Sequence, residues 1–171
     1  GSDAKLFLNE TKVINNTTKM NYTYDLVKSF LEQGIRVDGV GFQGHFDFYS
    51  PNESARRLDK YIKRFASLGL DIEITEMDIT VYDDIIPGAK YETLPQWRET
   101  LQRERYRMFF KVLRDNADVI TNVTFWGVND AVSYRGISKG RQDWPMLFDK
   151  DSNPKSNYYA VTDFYFAQPV K

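Results

Sequence analysis

The stretch Asp71–Thr80 reads DIEITEMDIT, with two glutamates and two aspartates inside an otherwise apolar run. Ile72–Ile79 is predicted as a strand, and the isoleucines point to one covered on both faces, as in a parallel sheet. Side chains alternate along a strand, so Ile72, Ile74, Glu76 and Asp78 are expected on one face and Glu73, Thr75 and Met77 on the other. Glu76 and Asp78 then lie about 6.6 Å apart at Cα, and Glu73 is excluded as a working partner of Glu76. A carboxylate on a doubly covered strand must be hydrogen-bonded or put to use. The bland alternative is a solvated edge strand carrying scattered charge.

Outward from that stretch, strand and helix patterns alternate four times. Lys5–Leu8 is a short apolar run, and Tyr24–Gln33 carries a helical face of Leu26, Val27, Phe30 and Leu31, stopped by Gly34. Val37–Phe42 is the next strand. Ser50, Pro51 and Glu53 form an N-cap, first-turn proline and capping-box signature. The helix they open is expected to bury Leu58, Tyr61, Ile62, Phe65 and Leu68 before Gly69 ends it. A long loop over 81–93 leads to a helix from about Pro95 to Asn116, with Trp97, Leu101, Met108, Phe109, Val112 and Leu113 inward. Ile120–Gly127 is the fourth strand, a polar loop with Gly136 and Gly140 follows, and a last helix covers Ser156–Phe166. No low-complexity linker interrupts the chain, so residues 1–171 are expected to form one domain, with Gly1-Ser2 read as an expression scar.

Strand–helix alternation of this kind argues for an α/β fold, a parallel sheet with right-handed crossovers. Two architectures fit: a small open doubly wound sheet, or half of an eight-stranded β/α barrel. A whole barrel needs at least about 200 residues, so 171 residues are too few for one.

Composition narrows the function. Apolar residues at 42% and aromatics at 15% exclude a disordered class. A net charge of −1 provides no basic footprint, which argues against a nucleic-acid partner. No apolar run is long enough to span a membrane, and no signal peptide is read. The absence of cysteine excludes disulfides, thiol nucleophiles and thiolate metal sites, without fixing a compartment. His45 is the only histidine, so a metal centre is not expected, nor is a cofactor. Six Asn-x-Ser/Thr sequons occur, two of them in predicted strands where a glycan would not fit, and the set is read as chance.

Three further features compete with plain structural readings. Gly39–Gly44 satisfies G-x-G-x-x-G after a strand, but no helix opens at that loop, and the acidic residue 20 positions on, Asp59, falls inside a helix. Tight packing at a strand end is the bland account, and phosphate binding the rival. His45 stands at the C-terminal end of a strand, where ligand sites of α/β folds form. Trp126 ends the fourth strand, with Tyr134 and Trp144 in the loop beyond; flat rings there either pack into the core or stack on sugar faces.

Taken together, these stretches resemble the C-terminal half of glycoside hydrolase family 10, the endo-β-1,4-xylanases. Gly41-Phe42-Gln43-Gly44-His45 is similar to the family's G-x-Q-x-H strand end, and Ile74-Thr75-Glu76-Met77-Asp78 to its I-T-E-L-D nucleophile strand. Thr124–Asp130 with Ser133-Tyr134-Arg135 resembles its T-F-W-G-V-T-D…S-W-R segment, and Pro145–Asp149 with Pro154-Lys155 and Tyr158-Tyr159-Ala160 its P-L-L-F-D…P-K-x-A-Y-x-A ending. The resemblance implies the last four units, strands five to eight, of a partial (β/α)8 TIM barrel. It also implies a retaining hydrolase acting on xylan and a secreted, cell-surface or periplasmic setting. Glu76 would be the nucleophile, with His45 and Asp78 as a relay that orients it. Gln43, Trp126, Tyr134 and Arg135 would contact substrate.

The departures matter as much. Retaining chemistry uses a nucleophile and an acid/base, about 5–5.5 Å apart. The family carries the acid/base in W-D-x-x-N-E. Asn9-Glu10 is an Asn-Glu pair, yet Asp3–Asn9 is more similar to the following strand, A-K-L-x-x-N-D-Y-N, and no Trp-Asp precedes it. Thr11-Lys12 stands where the family has Tyr-Asn, and Tyr134 replaces a family tryptophan. The expectation is a nucleophile-bearing half-barrel without its acid/base, inactive alone. Its open sheet edges would pair with the missing N-terminal half or with another copy. A non-catalytic carbohydrate-binding remnant, using Trp126 and Tyr134, is the alternative.

Overall fold

The computed structural model describes residues 3–47, 51–82 and 90–163. Gly1-Ser2, the Ser50 of the expected cap, the middle of the 81–93 loop and residues 164–166 of the expected last helix lie outside the described residues. In chain order the elements are β1 (Phe7–Glu10), α1 (Thr17–Glu32), β2 (Gly39–Phe42), β3 (His45–Phe46), α2 (Pro51–Ala66) and β4 (Asp71–Ile79). Then come α3 (Gln96–Asp115), β5 (Ile120–Phe125), a 3-10 turn at Asp130–Val132, α4 (Tyr134–Lys139) and α5 (Ser156–Thr162). β1 pairs parallel with β2, and β2 parallel with β4. β3 and β5 also pair with β4. β2 and β3 are therefore one strand interrupted at Gln43-Gly44, both pieces lying along β4.

The chain packs as two units. The first gathers residues up to 45, 52–77 and 112–124. Its core combines Val40, Phe42, Ile72 and Ile74 from the strands with Val27 of α1 and Leu58, Ile62 and Phe65 of α2, all fully buried. Phe65 meets Tyr24 and Phe42 edge-on, with ring centroids 5.4 and 5.7 Å away. The second unit holds residues 46–51, 78–111 and 125 onward. Here Phe46 stacks on Phe109 at 3.8 Å, and Ile79, Val81, Tyr106 and Met146 are buried.

The predicted elements recur, with displaced boundaries. α1 begins at Thr17 rather than at Tyr24, because Asn16 caps it by accepting from the Lys19 N–H at 2.9 Å. β1 is shifted two residues forward of Lys5–Leu8, which carries Asn9 and Glu10 into the strand. The polar loop after β5 contains the 3-10 turn and α4, each opened by a side-chain cap, Asn129 and Ser133.

The inward face of α3 is the main correction. Trp97 is 54% exposed and Leu101 36%. Phe109 and Leu113 are buried as expected, but toward the N-terminal half of the helix the buried positions are Arg98, Gln102 and Tyr106 instead. The cause is unmet backbone acceptors beside the end of β4. Gln102 Nε2 donates to the carbonyls of Ile79 (2.6 Å) and Trp144 (2.8 Å), Arg98 donates to the Val81 carbonyl, and the Tyr106 hydroxyl to that of Pro145. Satisfying those groups outweighs the hydrophobicity of Trp97 and Leu101.

Candidate active site

Burial along β4 alternates from Asp71 to Thr75, with Ile72 and Ile74 fully buried and the odd positions half-exposed. The alternation then fails, because Glu76 is half-exposed directly after half-exposed Thr75. Asn9 of β1 shows the same thing geometrically. Its Oδ1 accepts from the Thr75 hydroxyl at 2.7 Å while its Nδ2 donates to Glu76 Oε1 at 3.2 Å. Two successive side chains reach one amide, so the expected opposition of Thr75 and Glu76 is overturned. The slip coincides with the break between β2 and β3. Register runs to Phe42 opposite Ile74. Gly44 then takes φ +82°, a conformation costly for other residues, and the Gln43 carbonyl accepts the Glu76 N–H at 2.7 Å.

That break also delivers His45. Its Nε2 lies 3.2 Å from Glu76 Oε2, with side-chain exposures of 24% for His45 and 15% for Glu76. Each carboxylate oxygen of Glu76 thus has its own partner: Asn9 on one, His45 on the other. A carboxylate held at both oxygens, in the C-terminal half of β4 and still partly open, can act as a positioned nucleophile. Gln43 is adjacent through its backbone.

Glu10, the rival second carboxyl, has a different environment. Its Oε1 pairs with Lys19 Nζ at 2.6 Å and accepts the Thr11 N–H at 2.8 Å. The Lys19 bond above all holds its pKa below the ordinary glutamate value, opposite to what a general acid needs.

In the second unit, Asp78 is fully buried and bound by Arg135, whose Nε and Nη2 each lie 2.8 Å from Oδ1. Arg135 also donates to the Phe46 carbonyl at 3.2 Å. Trp126 and Tyr134 are 46% and 58% exposed, open rings rather than core. Lys155 donates to Asp130 Oδ2 (2.8 Å) and to the carbonyls of Trp144 (2.7 Å) and Met146 (2.8 Å). Burial raises Asp130 to about 6, against the opposing pull of Lys155. Asp143 is raised by burial too, and is occupied by Thr80 and the N–H groups of Val81 and Trp144. Asp130 and Asp143 line a cavity of about 670 Å³ in this unit, with Ser133, Arg141 and Trp144. Among the described residues no group of three His, Asp or Glu is placed to hold a metal.

Asn9 and Thr75 were not singled out from sequence as site residues. The signal was present: Asn9 is the asparagine of the A-K-L-x-x-N likeness, and Thr75 immediately precedes Glu76.

A thermostable celloxylanase of Thermoclostridium stercorarium is 38% identical over 164 residues, covering 95% of this chain and 42% of that protein. A β-1,4-xylanase of Dictyoglomus thermophilum is 37% identical over 164 residues, covering 95% and 46%. The crystal structure of xylanase B from Clostridium stercorarium F9 superposes with a TM-score of 0.88 at 38% identity, over 95% of this chain and 48% of that one. The fold class is accordingly α/β, part of a (β/α)8 barrel, and the chain spans about half the length of the relatives it matches. The family model for glycosyl hydrolase family 10 matches residues 1–164, and with relatives of this identity the chain belongs to that family.

Proposed function

We propose that the chain is the nucleophile-bearing part of a retaining endo-1,4-β-xylanase, with Glu76 attacking the anomeric carbon of a xylan chain. The observation that carries this reading is the two-sided hold on Glu76, with Asn9 on Oε1 and His45 on Oε2. His45 and, on the family likeness, Asp78 orient the nucleophile. Gln43, Trp126, Tyr134 and Arg135 are the sugar-side residues, Trp126 and Tyr134 as exposed stacking rings. The acid/base is not Glu10, whose carboxylate Lys19 occupies. It comes from a complementary half-barrel, and these 171 residues by themselves turn over little or no xylan. Secretion, or display at the cell surface or in the periplasm, fits a polymeric substrate.

The test removes the need for an acid. A 2-deoxy-2-fluoro xylobioside with a dinitrophenolate leaving group is incubated with the chain, alone and with a complementary half-barrel. Glu76 forms the bond to the anomeric carbon as the bond to the phenolate oxygen breaks, and dinitrophenolate departs with the electron pair. Expected is one sugar adduct on the peptide containing Glu76, absent in Glu76→Gln. No adduct in either setting, or an adduct elsewhere, overturns the assignment. The exposure of Trp126 and Tyr134 supports a second reading, a non-catalytic binding module. Xylo-oligosaccharide binding indifferent to Glu76→Gln, with no adduct, would favour it.

A further inference from the structure

The two glycines of Gly39-Val40-Gly41 serve no phosphate in the proposed function, yet one of them lies beside the nucleophile. β1, β2 and β4 are consecutive strands, with Asn9 opposite Gly41 and Gly41 opposite Glu73. Side chains on β1 and β4 are therefore two strand spacings apart, roughly 9.5 Å, and a side chain on β2 would ordinarily stand between them. At Gly41 nothing does. A Cβ there would sit 2.7 Å from Asn9 Oδ1 and 2.8 Å from Thr75 Cγ2, closer than real Cβ contacts come. Asn9 and Thr75 occupy that space, and their hydrogen bond at 2.7 Å passes over the bare backbone of β2.

The chemistry of the three groups leaves one arrangement. An ionised carboxylate only accepts, an asparagine amide has one accepting and one donating end, and a threonine hydroxyl does either. With Nδ2 turned to Glu76, the Asn9 oxygen faces Thr75 and needs a donor, which the hydroxyl supplies. The flipped amide would set Oδ1 against Glu76 Oε1, acceptor against acceptor.

We infer that Thr75 is a positioning residue for the nucleophile, acting through Asn9 across an opening that Gly41 keeps clear. Neither Thr75 nor Gly41 touches substrate. Thr75 pins the amide, the amide pins Oε1, and His45 on Oε2 completes the hold, so the carboxylate does not turn about its own axis. This assignment rests on Glu76 being the nucleophile, but the contact itself is measurable without turnover.

The test uses the Asn9 side-chain NH2 signals in nitrogen-15 NMR of this chain, in the wild type and in Thr75→Val, Thr75→Ser, Gly41→Ala and Glu76→Gln. Circular dichroism and urea midpoints establish that each variant is folded. Expected for Thr75→Val is a shift of both Asn9 Hδ2 resonances and side-chain amide exchange faster by roughly two- to tenfold, the range one neutral hydrogen bond spans. Thr75→Ser restores wild-type exchange within about twofold, because the hydroxyl is the working group. Gly41→Ala reproduces the valine result without altering Thr75. Thr75→Ala, which adds no bulk, reports the same loss in place of a valine variant that does not fold. Unchanged Asn9 signals in Thr75→Val, a serine variant as impaired as the valine one, or an intact signature in Gly41→Ala would each overturn the inference. The outcome is separable from that of the parent reading. An intact Asn9–Thr75 signature with no sugar adduct on Glu76 removes the nucleophile and leaves the contact standing, whereas an adduct with Asn9 indifferent to Thr75 does the reverse.

Discussion

Arg135, proposed as a sugar contact, is also the counter-ion that keeps Asp78 buried. Its guanidinium places Nε and Nη2 each 2.8 Å from Asp78 Oδ1, and a third bond reaches the Phe46 carbonyl at 3.2 Å. Asp78 is 0% exposed and the Arg135 side chain 23%. Removing one partner of a fully buried pair costs about 3–5 kcal/mol, since the other charge is left without compensation. The partial exposure of the guanidinium and a further interaction of Asp78 reduce this, so Arg135→Met should cost about 2–3 kcal/mol. Urea unfolding followed by tryptophan fluorescence reads the right part of the molecule, because Trp97, Trp126 and Trp144 all lie in the second unit. With a slope of about 2 kcal/mol per molar urea, the midpoint should fall by roughly 1–1.5 M. Asp78→Asn combined with Arg135→Met should be less unstable than Arg135→Met alone, because the buried negative charge is gone. A loss below about 0.5 kcal/mol, within the range of ordinary surface substitutions, would refute the reasoning.

Asp130 should titrate near 6 by carbon-13 carboxyl NMR. Its folded value lies above the unfolded one, so its contribution to stability is fully present below about pH 4 and is lost as pH rises through about 6. Relative to Asp130→Asn, the wild type should lose on the order of 3 kcal/mol across that window, and an unchanged difference would contradict it. Gln102→Leu keeps the size of a fully buried side chain but strips the donors from the Ile79 and Trp144 carbonyls; the expected loss is about 2–4 kcal/mol by urea unfolding. Trp126→Ala removes a ring that is 46% exposed, and should weaken xylo-oligosaccharide binding by roughly tenfold in calorimetry with the urea midpoint nearly unmoved.

How much of this was legible in the sequence follows from which interactions are local. Helix α2 was read correctly in its buried positions Leu58, Tyr61, Ile62 and Phe65, because an amphipathic stripe with strong polar residues between leaves one solution. Helix α3 follows the expected face at Phe109 and Leu113 but departs from it in its N-terminal half. Hydrophobicity ranks Trp97 and Leu101 above Arg98 and Gln102, and nothing in the linear pattern announces that the carbonyls of Ile79, Val81 and Trp144 need donors on that side. The early start of α1 was missed for a simpler reason: Asn15-Asn16-Thr17-Thr18 reads as loop chemistry, and the residues that cap a helix are the ones that build turns.

The site divides along the same line. The meeting of Glu76 with His45 was legible because a strand and a short motif carry the two residues, and their contact at 3.2 Å needs only neighbouring strands. Asn9 was not, because its partners sit two strands away and are reached only through the missing side chain of Gly41. Strand alternation also conceals the contact: it assigns Thr75 and Glu76 to opposite faces, so it points to no residue that touches both. The break at Gln43-Gly44 is where that rule lapses, and it lapses beside Glu76. A regular strand would place Thr75 and Glu76 on opposite faces. The interrupted partner strand accompanies the slip that turns Glu76 toward Asn9 and His45 together, so the irregularity that defeats the periodic reading coincides with the one that assembles the site.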